Sequence, residues 1–376
     1  FSRDISLWLF GTEKHQILVA VALITISFNL WYTPYALYAR MENRMFLFAM
    51  VNVSASLLMI GSNIVFVSVM HLGAFALILS SAIVQLFQML AYLVFMPKLF
   101  KYQEYDKQLL NQMLKYSIPI IPTAIAAWFL NLSDRYIILH YFSAAEVGIY
   151  GIGARFSSVL SILSNAVFTA YTTFAFDKKD DEDAKYQYKR VLGFYYMILM
   201  ITCIFVTMWG KEIIALMSNS AYGAAYLLLP GLLFGQVMYG VSVIVGYGLS
   251  FEKKTNYIFA ANVIGAVLNI VLNFAFIPNF GVEAAAYTTY VGYFVMAILL
   301  YVFAQKFYPC DYAISKVIIS NVIIIALATF MNHYEMALGI RALLTAASLA
   351  LIFILYRDAI KDIFMILVRV KRKIRG

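Results

Sequence analysis

The stretch EKKTNYIFAANVIGAVLNIVLNFAF, Glu252 to Phe276, has an echo in the same chain: ENRMFLFAMVNVSASLLMIGSNIVF, Glu42 to Phe66. Aligned without gaps, Glu42 matches Glu252, Arg44 matches Lys254, and Asn52–Val53 matches Asn262–Val263. Asn63 then matches Asn273 and Phe66 matches Phe276, each pair 210 positions apart. Apolar identities between two apolar stretches carry little weight. A glutamate and two asparagines in register carry more. Each copy is a charged loop leading into about 20 apolar residues, the length of a membrane-crossing helix.

Composition puts the whole chain in that class. Of 376 residues, 63% are hydrophobic and 12% charged, and the mean hydropathy is +0.82. Soluble domains run about 45–50% apolar and about 25% charged. The apolar runs are those of helices, not the short alternating segments of a barrel. We expect about eleven spans, at 17–38, 46–70, 74–97, 117–141, 147–175, 191–217, 223–249, 257–277, 282–305, 314–332 and 338–356. Pro97 closes the third, Pro119 and Pro122 fall in the first turn of the fourth, and Pro278 follows the eighth. Pro34 and Pro230 lie inside spans, where a bend is expected.

Charge orients the spans. Of the 28 Lys and Arg, 22 fall on one side, in alternate loops and in the tail from Arg357 to Arg375. Only Arg3, Lys14, Lys211 and Arg341 fall on the other. The positive-inside rule puts the rich side, and the C-terminus, in the cytoplasm. This distribution accounts for the net charge of +9, and no nucleic-acid partner is implied.

The repeat enters spans two and eight, so its period is six helices, a frequent building plan of secondary transporters. Six helices keep the two copies parallel. A second copy starting near Leu114 implies a first that starts before Phe1, and about three helices upstream are expected. The charge bias agrees, because an odd span count leaves Phe1 outside. Within each copy the paired asparagines lie eleven residues apart, on one helix face, and Asn269 shares the stripe. Hydrogen-bonding glue between helices is their expected role, worth under roughly 1 kcal/mol each.

Two basic residues remain, and both lie within spans. Asp134 and Arg135 sit in the fourth span, and Arg155 lies roughly 12 Å along the returning fifth. A charge facing lipid costs several kcal/mol, so all three should face protein or water. One reading is an Asp134–Arg155 ion pair locking the hairpin, with Arg135 reaching for the interface. The other is a cationic patch in a water-filled cavity that receives an anionic substrate. Asn131, Asn165 and Gln236 are further polar candidates for the cavity, beside Asn29, Gln85 and Gln88.

Nothing points to an enzyme or a cofactor. There is no phosphate-binding Gly-rich loop ending in Lys-Ser or Lys-Thr, no G-x-S-x-G and no H-E-x-x-H. The four histidines and two cysteines show no metal-ligand spacing. The loop DKKDDEDAKYQYKR, Asp177 to Arg190, carries both signs and reads as a solvated connector.

The segment LKYSIPIIPTAIAAWFLNLSDRYIILHYFSAAEVGIYGIGARF, Leu114 to Phe156, resembles the seventh and eighth helices of bacterial polysaccharide flippases. These are the O-antigen and capsule repeat-unit exporters of the multidrug/oligosaccharidyl-lipid/polysaccharide superfamily. The matching features are Lys115-Tyr116-Ser117-Ile118-Pro119, Asp134-Arg135, Glu146-Val147-Gly148-Ile149-Tyr150 and the basic Arg155. The resemblance implies an all-α polytopic membrane protein with two six-helix lobes around a V-shaped cavity, plus two C-terminal helices. On that frame 1–113 is half of the first lobe with a linker, 114–306 the second lobe, 307–356 the extra pair and 357–376 a basic tail. It further implies a bacterial cytoplasmic membrane and an undecaprenyl-pyrophosphate-linked oligosaccharide as substrate. Flipping would proceed by ion-gradient-coupled alternating access, alongside a polysaccharide polymerase and a chain-length regulator. Arg155 would meet the pyrophosphate, while Asp134 and Arg135 orient the helix end. A multidrug exporter and a lipid II flippase are neighbouring alternatives; a polytopic glycosyl-group transferase is one from another class.

Overall fold

The computed structural model describes residues 1–42, 44–97, 106–118, 132–334 and 336–359. Ten stretches among the described residues form helices long and apolar enough to cross a membrane. The fourth expected span lies mostly outside them, with Pro119, Pro122 and Asn131, and so does the tail from 360 onward.

The chain divides into two compact units, Phe1–Leu114 and Lys115–Gly376. The first holds the short α1 (Ser2–Phe10), then α2 (Gln16–Met41), α3 (Met45–Asn63) and α4 (Ala74–Phe95). Helix α5 (Lys107–Ser117) runs across the boundary. In the second unit residues 132–141 form α6, followed by α7 (Ala144–Asp177) and α8 (Ala184–Met208). After α9 (Gly210–Met217) come α10 (Leu229–Phe251), α11 (Thr255–Phe280), α12 (Val282–Phe307), α13 (Ile314–His333) and α14 (Leu338–Leu355).

Three details differ from the sequence reading. The expected span 191–217 is two helices, because the backbone breaks at Trp209 between α8 and α9. Pro278 lies inside α11, which continues to Phe280. Pro230 stands in the first turn of α10, where a 3-10 stretch (Ser220–Leu228) gives way to α-helix. A missing N–H costs little there, so the position suits proline as a starter rather than a kink.

The repeat is also structural. Gly73 (φ 58°) precedes α4 and Gly281 (φ 73°) precedes α12, both in the left-handed region that favours glycine. Asn63 is ten residues before Gly73, whereas Asn273 is eight before Gly281. The two additional residues are absorbed where α3 ends in a π-helical turn, Ile64–Val69, a wider winding than the α-helix at the matching place in α11.

The second unit is built around α10, which between Leu229 and Leu249 is buried except at Gln236, Tyr239, Val243 and Tyr247. Around it pack Tyr188, Tyr195 and Tyr196 of α8, all buried. Helices α11 and α12 approach closely at a glycine pair. A Cβ on Gly265 would lie 2.9 Å from the Gly292 carbonyl oxygen, and one on Gly292 would lie 3.0 Å from that of Gly265. Small residues at such crossings are how membrane helices gain contact where lipid supplies no hydrophobic drive. The crossing lies about one turn from Asn269, whose Cβ would meet a Cβ on Gly292 at 3.1 Å.

Candidate functional site

Ser143, Ala144, Ala145 and Glu146 form the start of α7, with the Ser143 hydroxyl accepting from the Glu146 backbone N–H. This is the first half of a capping box, and it fixes where the helix begins. One turn after Glu146, Tyr150 points back at α6 and donates its phenol to Asp134 Oδ2 at 2.6 Å. Asp134 is 5% exposed. Its other oxygen, Oδ1, accepts from Asn273 Nδ2 of α11 at 2.5 Å. Thr289 of α12 contributes a third bond to the carboxylate, Oγ1 to Oδ2 at 3.0 Å.

A further ring of polar atoms backs these three. Asn269 Nδ2 donates to Thr289 Oγ1 at 3.3 Å, Asn273 Nδ2 also reaches Asn269 Oδ1 at 3.4 Å, and Thr288 Oγ1 bonds Asn273 Oδ1. The cluster therefore joins four helices, α6, α7, α11 and α12. Asn269 and Asn273 act as interhelical glue, and their partner is the acid; Asn262 of the same stripe is exposed and bonds none of these residues.

The expected Asp134–Arg155 ion pair is absent. Asp134 is satisfied by neutral donors, and Arg155 is exposed on another face of α7, with no hydrogen bond or ion pair from its guanidinium to any described residue. Five residues from Tyr150 is about 1.4 turns, so the two side chains stand about 140° apart around the helix. Arg135 is half-buried beside Asp134 in sequence and does not bond it. Asn165 is exposed on the Arg155 side of α7, and Gln236 is half-buried on α10. Asn131 lies outside the described residues. Thus Asp134 bonds none of Arg155, Asn165 and Gln236. Tyr150, Thr288 and Thr289 complete its site, and no spacing signal in the sequence marks the two threonines.

The oxygen count around Asp134 has a chemical consequence. Thr289 Oγ1 lies 3.0 Å from Asp134 Oδ2 and 2.9 Å from the Ala285 carbonyl, yet it carries one proton for two acceptors. A proton on Asp134, or a small hard cation among these oxygens, removes the shortfall. Carboxylate, carboxamide, hydroxyl and carbonyl oxygens are the donor set such a cation takes. Among the described residues of the first repeat no such cluster forms. Asn63 Oδ1 and Ser80 Oγ, which stand where Asn273 and Thr288 stand in the second, are buried without a hydrogen-bond partner among the described residues.

Residues 119–275 match the MatE family model. The match includes Asp134, Tyr150, Arg155, Asn269 and Asn273. The chain is 23% identical over 239 residues to the probable low-salt glycan biosynthesis flippase Agl15 of Haloferax volcanii, across 62% of this chain. It spans about half the length of that relative, 50%. The fold is also that of the lipid II flippase MurJ in an inward closed conformation, with a TM-score of 0.67 and 16% identity over 93% of this chain and 77% of MurJ.

Proposed function

We propose that this protein flips undecaprenyl-pyrophosphate-linked oligosaccharide units from the inner to the outer leaflet of a bacterial cytoplasmic membrane, with its basic tail in the cytoplasm. One observation carries the proposal: Tyr150 and Arg155 of the same helix serve opposite environments, the first sealing a carboxylate, the second exposed and without an ion-pair partner among the described residues. An arginine at membrane depth is costly against lipid and suits a wet cavity that receives anions. Its planar fork matches phosphate oxygens. A sealed acid among neutral oxygens can take up and release a proton or a monovalent cation, which is what coupling to an ion gradient requires. The likeness to a glycan biosynthesis flippase supports the glycan part of this substrate.

A multidrug exporter for cationic compounds would need the reverse, an accessible acid. Asp134 is closed, and the open charge is positive.

The test is complementation. The full-length gene is expressed in bacterial strains that lack their polysaccharide flippase and make different repeat units. Surface glycan and lipid-linked units retained in the inner leaflet are both measured. Restored surface glycan in any strain supports the proposal, and efflux of cationic drugs without restoration would overturn it.

A further inference from the structure

Helix α7 carries further polar groups besides Arg155 on its open side. Arg155, Ser158, Ile162, Asn165, Thr169 and Thr172 recur at intervals of three and four, the spacing of a single helix face, and all six are exposed. Five of them are polar. The buried side of the same helix holds Leu160, Ser164, Tyr171 and Ala175. The hydroxyls bond their own helix, but an arginine and an amide without a bonding partner among the described residues are costly against hydrocarbon, so this stripe suits water or a polar ligand.

Helix α10 extends the surface sideways. The only residues it leaves unburied before Ser250 are Gln236, Tyr239, Val243 and Tyr247, again one face. The two helices run parallel, since the Ser157 hydroxyl bonds the Leu232 carbonyl at 3.2 Å and the hydroxyls of Thr172 and Tyr247 bond each other near the far ends. The second contact joins the two exposed stripes directly. By that register Asn165 stands level with Tyr239, whose ring packs on Tyr293 at 5.3 Å.

The chemistry of this strip is unlike that of its Arg155 end. No Asp, Glu, Lys or Arg occurs in α7 between Arg155 and Asp177, or anywhere in α10. Beyond Arg155, over about 26 Å to residue 172, its polar groups are all neutral and are interrupted by Ile162. Ser158, Thr169 and Thr172 donate to carbonyls of their own helix, at 2.6, 2.8 and 2.7 Å, which leaves their oxygens as acceptors. The Asn165 and Gln236 amides make no hydrogen bond to another described residue and present donors and acceptors together. Acceptors alternating with amides match a polyhydroxylated neutral ligand. They match neither an acyl chain nor a second ion.

We propose that this strip is the glycan-reading surface of the transporter. Arg155 takes the pyrophosphate, and Ser158, Asn165, Thr169, Gln236 and Tyr239 contact the sugars beyond it, so that they select for glycan length and hydroxyl pattern. This rests on the flippase reading above.

The experiment compares two probes in proteoliposomes of the full-length protein: undecaprenyl pyrophosphate carrying one sugar, and the same lipid carrying a complete repeat unit from a strain that the gene complements. The variant is Asn165→Ala/Thr169→Val/Gln236→Leu, with Asn165→Gln as the conservative control. Because these side chains make no hydrogen bond to another helix among the described residues, melting temperatures stay within a few degrees of wild type. Losing two or three hydrogen bonds lowers transport of the complete unit about tenfold. Transport of the single-sugar lipid falls less than about twofold, and the control stays near wild type. Equal loss with both probes, or no loss with either, overturns the glycan-reading role and leaves the flippase reading standing. A wild-type protein that moves neither probe overturns both.

Discussion

Asn273 Nδ2 sits 2.5 Å from Asp134 Oδ1, a bond that spans 139 positions of sequence and ties the second copy of the repeat to the acid of α6. Around it a carboxylate is held by Tyr150, Asn273 and Thr289 with no basic residue among its bonding partners. The proposed coupling role of this carboxylate and its fastening of four helices make separable predictions.

Asp134→Asn keeps the shape and most of the hydrogen bonding, and removes the group that binds a proton or cation. We expect normal membrane insertion, a melting temperature within a few degrees of wild type, and gradient-driven transport reduced at least about tenfold. Transport in vesicles with and without an imposed gradient is the measurement. Unchanged gradient dependence would remove Asp134 from coupling.

The surrounding ring should act mainly on stability. Thr289→Val removes one bond to Asp134 and is expected to cost about 1 kcal/mol. Asn273→Ala leaves Asp134 Oδ1 short of a donor, while the Thr288 hydroxyl keeps the Ala285 carbonyl, and is expected to cost about 2 kcal/mol. Denaturation of the purified variants in detergent checks the order, Asn273→Ala below Thr289→Val below wild type.

Packing makes its own prediction at Gly240. A Cβ there would lie 1.5 Å from the Tyr195 hydroxyl and 2.3 Å from the ring carbon that bears it. That hydroxyl is bonded to Ser164 at 2.8 Å. Gly240→Ala must push the ring away, and we expect about 1–3 kcal/mol of destabilisation. Gly339→Ala, where nothing lies within 4 Å, is the control and should melt like wild type.

At the ends of α9 and α14, Arg341 donates to both carboxylate oxygens of Glu212, at 2.5 and 3.0 Å. The bonded guanidinium holds the Glu212 carboxyl below its usual range. A depressed carboxylate stabilises the fold above its unfolded pKa, and the contribution disappears as pH falls through the lower, folded value. Stability should therefore be flat from pH 6 to 8 and fall on the acid side. The pair is partly exposed, so its share is under about 1 kcal/mol. Melting curves of wild type and Glu212→Gln should converge at acid pH and separate near neutrality.

Much of the fold is legible in the sequence because a membrane imposes a strong period and length on every span. Ala144–Asp177, Thr255–Phe280 and Val282–Phe307 each contain an expected apolar run with a few residues added at either end. Asp134, Asn269 and Asn273 stand out for a related reason, as polar groups in apolar surroundings. Their meeting does not, because it depends on which faces of α6, α11 and α12 turn inward, and the Gly265–Gly292 approach that sets this is a contact between distant segments. The Asp134–Arg155 pair fails for the same reason. Depth along adjacent helices placed the two charges in one layer, and depth says nothing about azimuth. Thr288 and Thr289 were invisible because threonines inside a span commonly bond their own helix, as Thr207 does to Cys203 here.

The account rests on a closed acid and an open arginine serving different parts of one transport cycle. The most direct test measures ion-gradient-driven flipping of undecaprenyl-pyrophosphate-linked oligosaccharide by the full-length protein in proteoliposomes, comparing wild type, Arg155→Ala and Asp134→Asn. The predicted result is flipping by wild type that depends on the gradient. Arg155→Ala should lose substrate binding and transport together, while Asp134→Asn still binds the lipid but no longer responds to the gradient. Wild-type transport that survives Arg155→Ala at full rate would contradict the account.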